Sequence, residues 1–132
     1  MIEQSLIDPA AWAGLLESVG GDADFVAELI EAYFDESPRL LAAMQEALSA
    51  GNAEDLRRAA HSLKSSSANF GALRLSVKCK ELEDIGKAGV LEGAAGQIGQ
   101  IVAEYEKARA ALEAIQRGDW NGEHPWPRSG GG

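Results

Sequence analysis

The 132-residue chain has little cysteine and little positive charge. Its one cysteine, Cys79, allows neither an intramolecular disulfide nor a cysteine-rich zinc site, and a lone cysteine fits a reducing compartment. Twelve lysines and arginines face 21 acidic residues, which leaves a net charge of −9. Because phosphate neutralisation needs clustered cations, this balance argues against binding to nucleic acid.

Long apolar runs are also missing. No stretch reaches the roughly 18 consecutive apolar residues of a transmembrane helix. The N-terminal residues MIEQSLIDPAAW lack the basic start and apolar core of a signal peptide. We therefore expect a cytoplasmic protein that does not bind membranes. The apolar content of 45% is ordinary for a globular protein, and the length predicts one domain with a real core.

No segment alternates apolar and polar residues for long enough to predict a strand, whereas glycine and proline divide the chain into segments of helical periodicity. The predicted helices run from Pro9 to Gly20-Gly21, from an N-cap at Asp22 or Asp24 to Gly51, and over residues 52–69, 72–87 and 91–117. Short connections make neighbouring helices antiparallel. The sequence therefore predicts an all-α fold, an up-down four-helix bundle with a short extra N-terminal helix.

Two features qualify this layout. Ser37-Pro38 could end the second helix, but the apolar periodicity continues beyond it and favours one long, kinked helix. The stretch GDWNGEHPWPRSGGG is rich in glycine and proline and has no period. We therefore expect a bundle over residues 1–117 and an extended or disordered tail over residues 118–132.

The helix predicted over residues 52–69 carries a histidine on its polar face. At about 100° per residue, the side chains that we expect to be buried form one stripe, namely Leu56, Ala59, Ala60, Leu63, Ser67 and Phe70. His61 points about 140° away from the centre of that stripe. The face around it also holds Glu54, Arg57, Arg58, Lys64, Ser65 and Ala68. His61 is therefore predicted to be exposed.

An exposed histidine is either an ordinary surface residue or a reactive group. Lys64, three residues on, is a neighbour on the same face, and its ammonium would stabilise a phosphorylated imidazole. The small side chains of Ser65 and Ala68 leave room for another protein to approach. These neighbours favour the reactive interpretation, while the pattern alone keeps both interpretations open.

At this point two motifs carry a resemblance. The stretch H-S-L-K-S-S-S-A-N-F-G-A, residues 61–72, resembles the phosphoacceptor motif of histidine-containing phosphotransfer (HPt) domains, which reads H-x-L-K-G-S/A-S/A followed by an aromatic or apolar residue and Gly-Ala. Residues 75–87, L-S-V-K-C-K-E-L-E-D-I-G-K, resemble the L-x-x-x-C-x-x-L-E-x-x-G pattern of the same family. One position departs, because Ser65 stands where the family usually has glycine.

The resemblance implies a relay of phosphoryl groups. His61 would take a phosphoryl group from a receiver aspartate or a kinase and pass it to another receiver, with neutral Nε2 as the attacking atom. Glu83, at a position where the family places Glu or Gln, would hold the proton on Nδ1, although it could instead be a surface carboxylate paired with Lys80 or Lys87. Such a chain is a phosphoryl carrier and not an enzyme. It needs no cofactor of its own, since the receiver brings the aspartate and Mg²⁺.

The same resemblance implies a docking face around His61. Its predicted members are Arg57, Arg58, Lys64, Ser65, Ala68 and Asn69, with Trp12 and Leu16 from the N-terminal helix. Val19 and Phe25 could extend it, but core packing is the alternative for all four apolar residues and the favoured one for Phe25. The expected partners are response-regulator receiver domains and a hybrid histidine kinase, bound by a monomer.

Three other interpretations compete with a relay. A plain helical interaction domain would keep the bundle and leave His61 without a chemical role. A metal enzyme built in a bundle needs inward-facing Glu-x-x-His pairs, and the chain has only His61 and His124, the latter in the tail. A dimerising histidine-kinase module would require glycine-rich ATP-binding segments, which the sequence lacks; that argument weakens for a fragment of a larger kinase.

Overall fold

The computed structural model describes residues 6–117, which fold into helices without a strand. The helices are α1 (Pro9–Ser18), α2 (Ala23–Ala50), α3 (Ala53–Asn69), α4 (Leu73–Ala88) and α5 (Ala94–Arg117). Helix α3 packs on α2 and α4, and α5 closes the bundle by packing on α4 and α2. The all-α prediction is confirmed. The predicted tail over residues 118–132 lies outside the described residues.

Side-chain caps set the helix starts close to where the sequence predicts them. Asp8 Oδ2 accepts a hydrogen bond from the Ala11 backbone N–H at 2.9 Å, directly before Pro9. Asp22, rather than Asp24, caps α2. Helix α5 begins three residues later than predicted because Gly93 takes the left-handed φ of +84° and breaks the helical path before Ala94.

Helix α2 continues through Pro38. The proline lacks the N–H that an interior helical residue donates to the carbonyl one turn before it. One residue before the proline, Ser37 Oγ donates a hydrogen bond to the Tyr33 carbonyl oxygen at 2.6 Å. The prediction of one long helix is confirmed, and the uninterrupted α2 brings Tyr33 and Met44 into the same core.

The core contains the stripe predicted for α3, since Leu56, Ala60, Leu63 and Ser67 are fully buried. Two apolar predictions outside α3 are wrong. Trp12, a predicted docking residue, is only 2% exposed, because its side chain packs in the hydrophobic core that α1 shares with the bundle helices. Phe25, for which the sequence analysis favours core packing, is 45% exposed, because Val26 takes the inward position at the start of α2.

The connection between α3 and α4 anchors α1. The Asp8 backbone N–H donates to the Gly71 carbonyl oxygen at 2.7 Å. Gly71 has a φ of +82°, and a Cβ there would lie 2.9 Å from the Asp8 carbonyl oxygen. Only glycine meets both demands. Among residues 6–117, no helix combines the length and the apolar character needed to cross a membrane.

Candidate functional site

His61 lies in the middle of α3, with its side chain 54% exposed. The neighbouring Ala60 and Leu63 are buried, so the helix turns its apolar side to the core and the imidazole to solvent. This position is the one that the helical periodicity predicts. The exposed ring offers room for a reactant from outside the bundle.

One ring nitrogen of His61 is held by the next helix. The Nδ1 atom lies 2.9 Å from Oε2 of Glu83, whose side chain on α4 is only 4% exposed. An ionised carboxylate can only accept hydrogen bonds, so Nδ1 carries the proton and donates it. In the neutral ring, Nε2 then keeps its lone pair and is the unprotonated nitrogen.

Glu83 binds a second residue of α3. Lys64 Nζ donates to Glu83 Oε1 at 2.7 Å, so the two carboxylate oxygens hold two side chains of the same helix. The hydrogen bond from Lys64, joined by the one from His61, outweighs burial and lowers the pKa of Glu83 to about 2. Glu83 is therefore ionised throughout the physiological pH range.

The structure also decides between the partners considered for Glu83. Lys80 pairs with Asp84 at 2.7 Å instead. Lys87 Nζ lies 3.9 Å from Glu83 Oε2, the same oxygen that accepts from His61. Glu83 is thus the buried centre of a network formed by His61, Lys64 and Lys87. It is not the loosely paired surface carboxylate of the alternative interpretation.

Lys64 differs in one respect from its predicted setting. Its ammonium is directed at Glu83 and its side chain is 25% exposed, so it does not extend freely over the helix surface. It still lies one turn from His61, on the side that faces α4. The sequence could place Lys64 next to His61 but could not show that both residues share one carboxylate.

The predicted rim residues lie around His61 on α3. Glu54 accepts hydrogen bonds from Arg57 at 3.0 Å and from Arg58 at 3.2 Å, which gathers two cations one turn before His61. On the other side of the imidazole, Ser65 is exposed and Ala68 is half-buried. The exposed Asn69 ends the helix.

A groove near the end of α3 was not anticipated. It has a volume of about 460 Å³, and its lining includes Leu15, Leu29, Asn69 and Phe70 from α1, α2 and the end of α3. Leu16, the predicted docking residue, is half-buried and is not part of this lining. The periodicity of so short a helix as α1 could not distinguish between the adjacent leucines.

The described residues offer no second reactive centre of the usual kinds. Over residues 6–117, no cluster of three or more His, Cys, Asp or Glu side chains could hold a metal ion. Cys79 is fully buried, and this burial raises the pKa of its thiol to about 12. A neutral, buried thiol is a poor nucleophile. The exposed His61 is therefore the candidate reactive group.

A comparison with known protein families identifies the family of this chain. The sequence model of the Hpt domain matches residues 28–116, which is more than half of the chain. The protein belongs to the Hpt domain family. The matched range includes His61, Lys64 and Glu83, whereas α1 of this Hpt domain precedes it.

Individual relatives agree with the family assignment. The Hpt domain is 31% identical over 102 residues to histidine-containing phosphotransfer protein 4 of Arabidopsis thaliana, a match over 74% of this chain and 80% of the plant protein. It is 28% identical over 96 residues to protein 2 of the same plant, over 70% of this chain. That match spans 62% of the length of protein 2, so the plant protein has further sequence beyond it.

A solved structure has the same fold. The crystal structure of histidine-containing phosphotransfer protein B from Pseudomonas aeruginosa PAO1 is similar, with a TM-score of 0.76 and 34% sequence identity. The similarity covers 85% of this Hpt domain and 96% of the Pseudomonas chain. The bundle geometry that places α4 beside the histidine helix is therefore shared with a protein of known structure.

Proposed function

We propose that this Hpt domain carries phosphoryl groups in a two-component phosphorelay. His61 accepts the group from the aspartyl phosphate of a receiver domain or from a kinase, and passes it to the receiver domain of a response regulator. One observation carries the proposal: an exposed imidazole is oriented through Nδ1 by a buried, ionised carboxylate at 2.9 Å. Membership of the Hpt domain family supports it.

The transfer step follows from the protonation state of the ring. The lone pair of Nε2 attacks the phosphorus of the acyl phosphate and forms the N–P bond. The P–O bond to the donor aspartate breaks, and its electron pair returns to the aspartate carboxylate. The imidazole keeps its proton on Nδ1 and becomes cationic, and Glu83 is already 2.9 Å from that nitrogen to balance the charge. No proton has to leave the ring before the attack.

Nearby cations supply charge for the phosphoryl oxygens. Lys64, one turn from His61, is 25% exposed and can move from Glu83 to an arriving phosphoryl group. After this exchange, Glu83 no longer pairs with Lys64 and can balance the positive charge that forms on the imidazole ring. Arg57 and Arg58 add positive charge beside the site in a chain of net charge −9. This local patch favours an acidic partner surface.

The partner supplies the rest of the chemistry. Phosphoryl transfer depends mainly on positioning and on electrostatic stabilisation. We assign Mg²⁺ and the second reactive carboxylate to the receiver domain, so this chain acts as a carrier and not as an autonomous enzyme. The proposed docking face comprises the rim of Arg57, Arg58, Lys64, Ser65, Ala68 and Asn69, together with Leu16 and the neighbouring groove. A monomer in the cytoplasm, bound in turn by a hybrid kinase and a regulator, fits this role.

The decisive test is phosphorylation of a variant without the imidazole. His61→Gln should abolish labelling by a receiver charged with acetyl phosphate, while circular dichroism shows an intact helical bundle. His124→Gln removes the only other histidine of the chain and should leave labelling unchanged. Wild-type label should be labile in acid and stable in base. Persistent label on His61→Gln would show that His61 is not the phosphoacceptor. No label on the wild type from any receiver would favour a helical interaction domain without phosphorylation.

A further inference from the structure

Two contacts between α3 and α4 bracket the His61–Glu83 pair without touching the imidazole. Gly86, three residues after Glu83, lies against the α3 backbone. Ser76, seven residues before Glu83, donates a hydrogen bond from Oγ to the Lys64 carbonyl oxygen at 3.1 Å. We propose that Gly86 and Ser76 are positioning residues, which fix the spacing and the axial register at which Glu83 meets Nδ1 of His61. The kinetic part of this inference rests on the proposed function.

Gly86 sets the spacing of the two helices. A Cβ at this position would lie 2.9 Å from the Ala53 carbonyl oxygen and 3.0 Å from the Arg57 Cα, and both are backbone atoms that cannot rotate away. Gly86 lies inside α4 and has no positive φ, so no turn requires a glycine here. The close approach of α3 is the reason for the glycine. Any larger residue must push α3 outward one turn from His61.

Ser76 sets the register along the helix axes. Its hydroxyl, partly buried between the helices, reaches the backbone of the residue whose ammonium binds Glu83. A hydrogen bond to a backbone atom constrains α3 itself, whereas a bond to a long side chain would allow the helices to slide. Gly86 and Ser76 thus hold α3 on both sides of the site, at Arg57 and at Lys64.

The site tolerates little movement between the helices. Glu83 uses both carboxylate oxygens on α3, at 2.9 Å to His61 and 2.7 Å to Lys64. A shift that preserves one of these bonds therefore lengthens the other, and hydrogen bonds weaken steeply once the geometry is lost. A misplacement of about 1 Å can slow a reaction by roughly a hundredfold. When Glu83 releases Nδ1, the ring can carry its proton on Nε2, the nitrogen that has to attack.

The test compares Gly86→Ala with Gly99→Ala, because Gly99 in α5 has nothing within 4 Å of an added Cβ. Nitrogen-15 NMR of the His61 ring measures the tautomer directly, and phosphoramidate measures the labelling rate without any docking partner. The wild type and Gly99→Ala should hold the proton on Nδ1. Gly86→Ala should populate the Nε2–H tautomer and slow labelling by about tenfold.

Ser76 provides a second comparison that does not depend on the folding of Gly86→Ala. Ser76→Ala should shift the tautomer in the same direction and slow labelling by about threefold, and Ser76→Thr, which keeps the hydroxyl, should restore both. Ser66→Ala is the matched control, since the Ser66 hydroxyl bonds only within α3.

The two readouts separate this inference from the proposed function. Folded Gly86→Ala and Ser76→Ala proteins with the wild-type tautomer ratio would overturn the positioning roles, whatever the labelling shows. If Gly86→Ala fails to fold, Ser76→Ala decides, and a wild-type tautomer ratio in that variant would overturn the positioning roles. If the variants change the tautomer but the wild type takes no label on His61, the positioning roles stand and the proposed function fails.

Discussion

Two of the hydrogen bonds that join α3 to neighbouring helices leave it from opposite faces, one buried and one exposed. On the buried face, Ser67 Oγ lies 2.8 Å from the hydroxyl of Tyr33 on α2. On the exposed face, His61 Nδ1 lies 2.9 Å from Glu83 on α4. The lengths are alike, but Ser67 and Tyr33 are both buried, whereas His61 is half exposed opposite a buried carboxylate.

This difference in burial separates a structural contact from a reactive one. Burial raises the pKa of Tyr33, so the phenol stays neutral and the Tyr33–Ser67 pair has no access to a reactant. The His61–Glu83 pair buries only the group that orients the ring and leaves Nε2 outside. Changes to the exposed pair should therefore affect phosphorylation as well as stability, and changes to the buried pair should affect stability alone.

The largest effect should come from Glu83→Gln. Glutamine keeps an acceptor for Nδ1–H but removes the charge that balances Lys64 and the cationic ring of the transferred state. We expect the free energy of unfolding to fall by about 2 kcal/mol and labelling by phosphoramidate to slow by about tenfold to thirtyfold. Urea unfolding measures the change in stability, and labelling reactions quenched at successive times measure the change in rate. Glu106→Gln, on an exposed position of α5, is the control and should change neither.

Acid should remove the same interaction in the wild type. The pKa of Glu83 falls from 4.5 to about 2 on folding, chiefly through the hydrogen bond from Lys64. Its contribution is therefore complete above about pH 5 and is lost as the pH falls through 4.5 toward 2. The hydrogen bond from Arg57 also lowers the pKa of Glu54 to about 2. Glu54 is present in both the wild type and Glu83→Gln, so its titration cancels when the unfolding free energies of these two proteins are subtracted.

The measurement is the difference in unfolding free energy between the wild type and Glu83→Gln, followed by urea titration from pH 7 to the lowest pH at which both fold. This difference should be constant near neutrality and shrink with acid. A difference that stays constant from pH 5 to pH 3 would show that Glu83 is not held ionised by its partners.

A smaller effect is expected on the buried face. Tyr33→Phe leaves Ser67 without its partner and should lower the free energy of unfolding by about 1 kcal/mol, with the labelling rate unchanged. Tyr105→Phe is a matched control, because the Tyr105 hydroxyl is the one buried side-chain polar atom of residues 6–117 without a hydrogen-bond partner. Its removal should not destabilise the bundle. Slower labelling in Tyr33→Phe would contradict the separation of the two faces.

The sequence predicts these two faces because the helical period determines which side chains are buried. Leu63 and Ser67 fall in the stripe, His61 falls outside it, and the structure places all three accordingly. The role of Glu83 as a partner of Nδ1 followed from the family resemblance, and the structure brings the two atoms together. Its nearly complete burial could not be predicted, since it depends on how closely α3 and α4 approach.

The remaining errors concern packing between elements. Helix α1 is too short for its period to show which apolar residue faces the bundle, so Trp12 was expected on the docking face and lies in the core. Phe25 and Val26 are adjacent at the start of α2, where either could turn inward. The contact of Gly86 with Arg57 joins residues 29 positions apart, and no local pattern encodes it. Such features follow from the relative placement of helices.

The smallest effect is expected at Ser65, the position where the family motif usually has glycine. Ser65→Gly should lower the free energy of unfolding by about 0.5 kcal/mol, because glycine is a poorer residue for a helix interior. Labelling by phosphoramidate should not change, since Ser65 makes no contact in the Glu83 network. Transfer from a receiver should change by less than about threefold, because a hydroxymethyl group is small compared with a docking surface. A receiver rate that rises more than about tenfold while the phosphoramidate rate stays constant would show instead that the Ser65 side chain limits how closely the receiver approaches His61.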